Sequence, residues 1–254
     1  MEHEGSMSPL VFAHRGFSLE APENTMAAFR LGWQSGASGV ECDVHLTADS
    51  KIVCIHDYDT GRVSDRKIKI AESDWSELAS LEVGEWKDSK WKGESIPRLR
   101  DLLAAIPEDK VLVIELKCGP EVVAPLVGLI DESGRGQESL LFISFNEKSL
   151  VELKRVRSTL SAYWLSDLDV QEDGSIKPSI AEILDTLDRL GVDGFGGQSG
   201  EGISQSLVDA LDAKGYALNV WTVDDAEEVR RMKRIGVTSV TSNDPRSTIE
   251  ALER

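Results

Sequence analysis

Short apolar segments alternate with longer amphipathic segments along almost the whole chain. The short segments are rich in Val, Ile, Leu and Phe, which is typical of strands that are buried on both faces. In the longer segments apolar residues recur every three or four positions, which is typical of helices that cover a sheet. The predicted strands are 9–14, 38–43, 111–117, 140–145, 161–165, 192–196, 217–223 and 237–242.

Residues that favour helix boundaries stand between these strands. The predicted first residues or N-caps are Asn24, Pro120, Asn146, Pro178, Ser204, Asp224 and Pro245. Glycines suited to a C-cap follow the predicted helices at positions 36, 191, 215 and 236. Eight strand–helix units joined by short loops predict a (β/α)₈ barrel, whose functional groups are expected at the carboxyl ends of the strands.

Two segments interrupt the repeat. After the second strand, residues 44–47 lead through a turn at 48–50 into residues 52–55, which predicts a hairpin that returns His56 to the barrel rim. Residues 58–98 are polar and irregular, and we expect them to form a small insertion on the same face as the site. Of its tryptophans, Trp75, Trp86 and Trp91, at least two are expected to form its core.

Length and charge limit the classes of function. A chain of 254 residues fits one domain, which we place at 9–254 after a disordered start at 1–8. The net charge of −17 argues against binding nucleic acid or an anionic membrane, but it permits a small phosphate substrate. The absence of a long apolar run predicts no membrane anchor, and three cysteines without a CxxC motif suggest a cytoplasmic protein with reduced thiols. The sequence leaves the oligomeric state open.

Acidic residues alternate with apolar residues in two of the predicted strands. Glu41 and Asp43 share one face of their strand, as Glu115 and Lys117 do in the next. Three converging carboxylates suit a divalent cation that prefers oxygen ligands, Mg²⁺ or Ca²⁺. The alternative is a set of ion pairs between these acids, Lys117 and Arg15.

Two histidines are expected to reach the same rim. His14 ends the first strand and His56 ends the hairpin, so the pair suits a general acid and a general base near neutral pH. Arg15 and Lys117 could bind an anionic substrate. Trp221 either forms the floor of a pocket for a small organic group or fills the barrel interior. We assign no role to His3 or His45.

Taken together, these motifs resemble those of glycerophosphodiester phosphodiesterases, from residue 9 to about residue 250. The motifs that carry the resemblance are His14-Arg15-Gly16 with Pro22-Glu23-Asn24-Thr25, Glu41-x-Asp43-Val44, His56-Asp57, Ile96-Pro97, Glu115-x-Lys117, Ser144-Phe145 and Val220-Trp221-Thr222-Val223.

The resemblance implies a (β/α)₈ barrel with a small insertion after the histidine–aspartate motif. It implies an enzyme that hydrolyses glycerophosphodiesters to glycerol 3-phosphate and an alcohol with the help of one divalent cation. The implied roles are acid/base catalysis by His14 and His56, metal binding by Glu41, Asp43 and Glu115, phosphate binding by Arg15 and Lys117, and contact with glycerol by Trp221.

The sequence departs from the family pattern at Arg98, in the shortened segment 57–62 and at the final segment 241–245. We expect none of these departures to touch the catalytic set. Two other functions stay open. One is lysophospholipase D activity on a lipid diester, which the tryptophans of the insertion keep possible. The other is a barrel that binds phosphorylated sugars or polyols without turnover.

Overall fold

A computed structural model describes residues 8–254, so the predicted disordered start falls almost wholly outside the described residues. In this range the strands are β1 (Leu10–Ala13), β2 (Gly39–Leu46), β3 (Ile52–Cys54), β4 (Val111–Leu116), β5 (Leu140–Ser144), β6 (Ser161–Ser166), β7 (Asp169–Val170), β8 (Ile176–Lys177), β9 (Gly194–Gln198), β10 (Ala217–Trp221) and β11 (Ser239–Ser242).

Eight of the strands in residues 8–254 form a closed parallel barrel in the order β1-β2-β4-β5-β6-β9-β10-β11. Strand β1 closes the barrel, because it pairs with β2 on one side and with β11 on the other. Each of the eight predicted strands coincides with one barrel strand, which confirms the predicted (β/α)₈ fold. The carboxyl ends of all eight strands therefore meet at one rim.

The helices of the described range cover the outside of the barrel or lie in its connections. They are α1 (Met26–Gln34), α2 (Trp75–Leu78), α3 (Leu99–Ala105), α4 (Val123–Ser133), α5 (Glu147–Val156), α6 (Ile180–Leu190), α7 (Gln205–Asp212), α8 (Ala226–Ile235) and α9 (Pro245–Glu253). Among residues 8–254, none of these helices combines the length and the apolar character needed to cross a bilayer.

Two helix starts lie one residue later than predicted. Thr25 caps α1 in place of Asn24, and Asp225 caps α8 in place of Asp224. The reason is that Asn24 and Asp224 have other partners, since their side chains bond to groups at the carboxyl ends of β2 and β11. The predicted N-caps Asn146 and Ser204 are confirmed.

Side chains along each barrel strand point alternately outward and inward, which produces two separate apolar regions. Outward-facing residues such as Ile114 and Phe142 pack with the helices in a large buried cluster. Inward-facing residues Phe12, Val113 and Ile143 fill the barrel below the rim. Glu115 follows Val113 by two positions, so its side chain lies on the inner face, directly above this apolar floor.

The glycine-rich strand β9 ends at Gln198, two residues beyond the end of the predicted strand 192–196. Glycine is needed in β9 because a Cβ atom at Gly196 would lie 2.4 Å from the side chain of Leu165 on the neighbouring strand β6. The large side chains of β6 thus fill the space that β9 leaves empty.

The predicted hairpin is confirmed: β3 runs antiparallel to the end of β2, with Val44 opposite Cys54. The segment that follows, up to α3, has its own buried cluster, which includes Val63, Ile70 and Leu78. Trp75 packs against this cluster, whereas Trp86 is 43 % exposed. Trp91 is half-buried, and its indole N–H donates to the backbone of Glu20. Of the three tryptophans, only Trp75 packs against the cluster.

Candidate active site

The loop after β1 reverses sharply at the barrel rim. Arg15 and Gly16 have φ values of 54° and 76°, and Asn24, just before α1, has 56°. Gly16 is required here, because a Cβ atom would lie 2.4 Å from the backbone of Ala28. This turn points the side chains of His14 and Arg15 toward the barrel axis.

Three carboxylates converge at the rim beside this loop. Glu41 and Asp43 lie on β2 with exposed fractions of 1 % and 0 %, and Asp43 is in register with Glu115 on β4. One oxygen atom from each of the three lies within 4.8 Å of those of the other two. The predicted acidic cluster is therefore formed by two adjacent barrel strands.

Asp43 is tied to the loop after β1. The Asn24 amide donates to Asp43 Oδ2 at 2.8 Å, and the Asp43 backbone N–H donates to Asn24 Oδ1 at 3.1 Å. Arg15 Nε lies 3.2 Å from Asp43 Oδ2 as an ion pair without hydrogen-bond geometry, and the Arg15 backbone N–H donates to Glu41 Oε2 at 2.8 Å. Sequence reasoning missed this role of Asn24, although Asn24 stands in the quoted motif.

Burial and mutual repulsion oppose the ionisation of two of the acids. Burial, followed by the charges of Asp43 and Glu115, raises the pKa of Glu41 well above its usual range. Burial, followed by the charge of Asp43, raises the pKa of Glu115 to about 7. Burial also acts to raise the pKa of Asp43, but the electrostatic effect of its neighbours, that of Arg15 above all, outweighs burial and lowers the pKa.

The acidic cluster fits a divalent cation. Glu41 Oε1 and Asp43 Oδ1 are buried and have no hydrogen-bond partner within residues 8–254. Buried polar atoms without a partner are costly, and a cation between them would remove that cost. The donor set consists of oxygen atoms alone, which suits Mg²⁺ or Ca²⁺ better than zinc.

His14 is held by a neutral partner. Its Nδ1 atom lies 2.8 Å from Asn243 Oδ1, in the segment after β11. Burial, and next the charge of Arg15, lower the pKa of His14 below its ordinary value of 6.5. The ring is therefore neutral at physiological pH.

His56 is held by a charged partner. Its Nδ1 atom lies 2.7 Å from Asp57 Oδ1, and its Nε2 atom lies 3.2 Å from Lys117 Nζ. His45, to which we assigned no role, bonds the backbone oxygen of His56 through Nε2 at 3.0 Å. His45 of the hairpin thus holds the backbone of His56, while Asp57 and Lys117 hold its ring.

Lys117 lies between His56 and the acids. Its ammonium group is 2.8 Å from Glu115 Oε1 and 3.8 Å from Asp43 Oδ1. Burial acts to lower the pKa of Lys117, but the charges of Glu115 and Asp43 outweigh it and raise the pKa. Lys117 therefore stays cationic at the mouth of the barrel.

Arg62 of the insertion, which sequence reasoning also missed, links the two histidine-bearing loops. It donates to Asp57 Oδ2 at 2.7 Å and forms a bidentate pair with Glu23 at 2.8 Å. Glu23 in turn accepts from Arg15 at 2.8 Å. Arg62 lies 39 positions from Glu23 in the chain, so no local sequence pattern predicts this contact.

One cavity of about 250 Å³ joins these groups. Of the predicted site residues, His14, Arg15, Glu41, His56, Glu115, Lys117 and Trp221 line it, and Asp43 is buried directly beside Glu41 and Glu115. Its apolar wall includes Phe145, whose ring meets that of Trp221 edge-on at 5.6 Å. Trp221 thus contributes to a pocket wall.

The departures from the family pattern were expected not to touch the catalytic set, and for two of them this expectation is wrong. Asn243 contacts His14, and Asp57, at the start of the shortened segment, contacts His56. The third, Arg98, pairs with Asp101 at the start of α3.

Comparison with known proteins agrees with this geometry. Residues 14–247 match the model of the glycerophosphoryl diester phosphodiesterase family. The chain is 31 % identical to a glycerophosphodiester phosphodiesterase of Caldanaerobacter subterraneus subsp. tengcongensis, covering 98 % of this chain and 99 % of that protein.

Solved structures show the same likeness. An Oleispira antarctica phosphodiesterase in complex with the product sn-glycerol-3-phosphate is 28 % identical, with a TM-score of 0.87 over 97 % of each chain. A glycerophosphodiester phosphodiesterase of Thermotoga maritima is 26 % identical, with a TM-score of 0.76 over 96 % of this chain and 98 % of that one. The chain therefore belongs to the glycerophosphoryl diester phosphodiesterase family of enzymes, as its motifs predicted.

Proposed function

We propose that this protein hydrolyses small glycerophosphodiesters to sn-glycerol 3-phosphate and an alcohol by acid/base catalysis with His14 and His56. One observation carries the proposal. Both rings line the same 250 Å³ cavity as Glu41, Glu115, Arg15 and Lys117, and each ring has its Nδ1 atom bonded to a side chain. The product bound to the Oleispira antarctica relative is consistent with it.

A divalent cation, Mg²⁺ or Ca²⁺, would be held by Glu41, Asp43 and Glu115. When bound, it would supply positive charge to the phosphoryl oxygens and orient the substrate hydroxyl groups. Without a cation, the raised pKa values of Glu41 and Glu115 favour the protonated forms of both carboxyl groups. A bound cation would favour their ionised forms, which can act as ligands.

Arg15 and Lys117 would bind the phosphate. Both are cations on the cavity wall, and their ion pairs with Asp43, Glu23 and Glu115 hold the charged groups in place before substrate arrives. Preorganised charges of this kind stabilise the negative charge of the transition state without a cost for reorganisation.

The partners of the two histidines divide the acid and base roles. The half-buried His14 ring is neutral and bonded to an amide, so it would remove the proton of the nucleophile. His56 is bonded to the Asp57 carboxylate, which stabilises an imidazolium ion, so it would protonate the leaving alkoxide. The phosphate would draw the Lys117 ammonium group away from His56 Nε2 and free that atom for proton transfer.

The nucleophile is either water or the glycerol 2-hydroxyl group, which would give a cyclic phosphate before water opens it. Both routes need one base and one acid at the same positions. Phosphorus NMR during turnover distinguishes them, because a cyclic five-membered phosphate has its own resonance.

Choline release from glycerophosphocholine tests the proposal. Activity is expected with added Mg²⁺ or Ca²⁺, loss of activity in excess EDTA, and recovery when the cation is restored. A Glu41→Gln variant should keep the fold and lose the response to the cation. Full activity in EDTA, or dependence on tightly bound zinc, would contradict the metal assignment.

The same assay separates the alternative functions. Faster choline release from lysophosphatidylcholine than from glycerophosphocholine would favour a lysophospholipase D. Binding of glycerol 3-phosphate without turnover of either diester would favour a non-catalytic barrel.

A further inference from the structure

Asn243 connects His14 to Asp224 across the ends of three adjacent barrel strands. His14 follows β1, Asn243 follows β11, and Asp224 follows β10 after a short loop. Asn243 Oδ1 lies 2.8 Å from His14 Nδ1, and Asn243 Nδ2 donates to Asp224 Oδ2 at 2.7 Å. The three side chains form one continuous line of hydrogen bonds that ends at the cavity.

Asp224 fixes which way the Asn243 amide faces. An ionised carboxylate only accepts hydrogen bonds, so the group that faces Asp224 must be the amide NH₂. The backbone N–H of Asn243 and the hydroxyl of Ser242 also donate to Asp224, at 2.7 and 2.8 Å, which holds the carboxylate in place. A reversed amide would place its oxygen against the carboxylate.

The fixed amide in turn fixes the proton on His14. Because Asn243 presents its oxygen to the ring, the Nδ1 atom must donate, and in a neutral ring the Nε2 atom then carries a lone pair. The hydroxyl of Ser18 donates to the same Asn243 oxygen at 2.9 Å, which further supports this orientation. Within residues 8–254 the Nε2 atom has no hydrogen-bond partner, so it is available to the cavity that His14 lines.

We propose that Asn243 and Asp224 are positioning residues that hold His14 as the Nδ1–H tautomer and so present Nε2 to the cavity as the basic nitrogen. The inference rests on the proposed function for its catalytic meaning. Neither side chain lines the cavity, so both act through His14.

Nitrogen NMR of protein labelled with ¹⁵N-histidine tests the tautomer directly, without substrate. In the wild-type protein the neutral His14 ring is expected to carry its proton on Nδ1. In Asp224→Asn the new amide can turn its NH₂ toward Asn243, whose own amide is then free to reverse. We expect Asp224→Asn and Asn243→Ala to move His14 toward the Nε2–H tautomer.

Kinetics on glycerophosphocholine test the consequence. Each variant should lower kcat, by up to the roughly 100- to 10,000-fold that a general base contributes, and change KM by less than about threefold. The double variant Asn243→Ala/Asp224→Asn should be no slower than Asn243→Ala alone, because Asp224 acts through Asn243.

Ser247→Ala is the matched control. Ser247 bonds Asp244 at 2.7 Å at the start of α9, close to Asn243 in sequence but outside the line to His14. It should leave the His14 tautomer and kcat unchanged, whatever it does to thermal stability.

Two results would overturn the inference: a wild-type His14 with its neutral-ring proton on Nε2, or variants whose kcat falls only as far as their folded fraction. If wild-type protein hydrolyses no glycerophosphodiester, the proposed function fails, while the tautomer measurement still decides this inference.

Discussion

His14 and His56 have partners of different charge, and this difference has consequences for catalysis. An amide oxygen holds His14 and a carboxylate holds His56. A charged carboxylate stabilises a proton donor more strongly than a neutral amide does, which supports the proposed acid role of His56. The different partners are therefore the basis for proposing His14 as the base and His56 as the acid.

Leaving-group chemistry tests this assignment. His14→Ala and His56→Ala should each lower turnover of glycerophosphocholine by roughly two to four orders of magnitude, because proton transfer is lost in the transition state. A glycerol diester of p-nitrophenol, which departs without a proton, should rescue His56→Ala and not His14→Ala. Near-normal turnover by both variants on glycerophosphocholine would rule out acid/base catalysis by this pair.

The pH dependence of kcat/KM reports on the base. His14 acts when it is neutral, and burial lowers its pKa below 6.5. With His14 as the proposed base, the midpoint of the acidic limb should therefore lie below pH 6.5, where the ring becomes protonated. Asn243→Asp, which places a carboxylate beside Nδ1, should raise the pKa of His14 and move the acidic limb to higher pH. An acidic limb unchanged in Asn243→Asp would show that it belongs to another group.

At the scale of elements, the insertion contributes to the site through Arg62. The loop after β1 carries Glu23, and the end of the β2–β3 hairpin carries Asp57. Arg62 bonds both of them from the insertion. No sequence pattern predicts this role of Arg62, but its guanidinium group connects the two loops that bear His14 and His56.

Removal of Arg62 should affect turnover more than stability. The side chain is 42 % exposed, so its ion pairs contribute little to folding, about 0–1 kcal/mol. Arg62→Ala should nevertheless lower kcat, because Asp57 and Glu23 lose the partner that orients them. Arg66→Ala is the control, since Arg66 lies in the same insertion and pairs with Glu77 at the surface. Equal kcat values for the two variants in a choline-release assay would refute a role for Arg62.

At the scale of the molecule, the barrel places three acidic side chains together at one rim of an already acidic protein. The chain carries a net charge of −17, and three of its carboxylates lie within 4.8 Å of one another. A cation that binds the folded form stabilises it, by about 2.7 kcal/mol at a concentration a hundred times its Kd.

Thermal unfolding tests this coupling without substrate. Saturating Mg²⁺ or Ca²⁺ should raise the Tm of the wild-type protein by several degrees, since each kcal/mol corresponds to roughly 2–4 °C at this size. Glu115→Gln should reduce the increase. Glu172→Gln removes the same charge from an exposed position between β7 and β8, and it should leave the increase in Tm unchanged. An equal increase for all three proteins would indicate nonspecific screening.

The sequence by itself determined the barrel and most of the site. Hydrophobic periodicity is a local property, so the eight strands could be found one by one. Alternation along a strand is also local, and it placed Glu41 beside Asp43, and Glu115 beside Lys117, on one face. Parallel strands bring their carboxyl ends to one rim, and this general rule was enough to bring His14 together with those acids. The predicted hairpin after β2 returned His56 to the same rim.

Only the tertiary structure decided how these groups are held. The bond from His14 to Asn243 spans 229 positions and exists because β11 closes the barrel against β1. The bond from Arg62 to Glu23 depends on how the insertion folds over the rim. Hydrogen bonds need the right distance and angle between two particular atoms, and neither is encoded in the pattern of a single segment. The need for glycine in β9 likewise follows only from the barrel, where Gly196 leaves room for the side chain of Leu165 on β6.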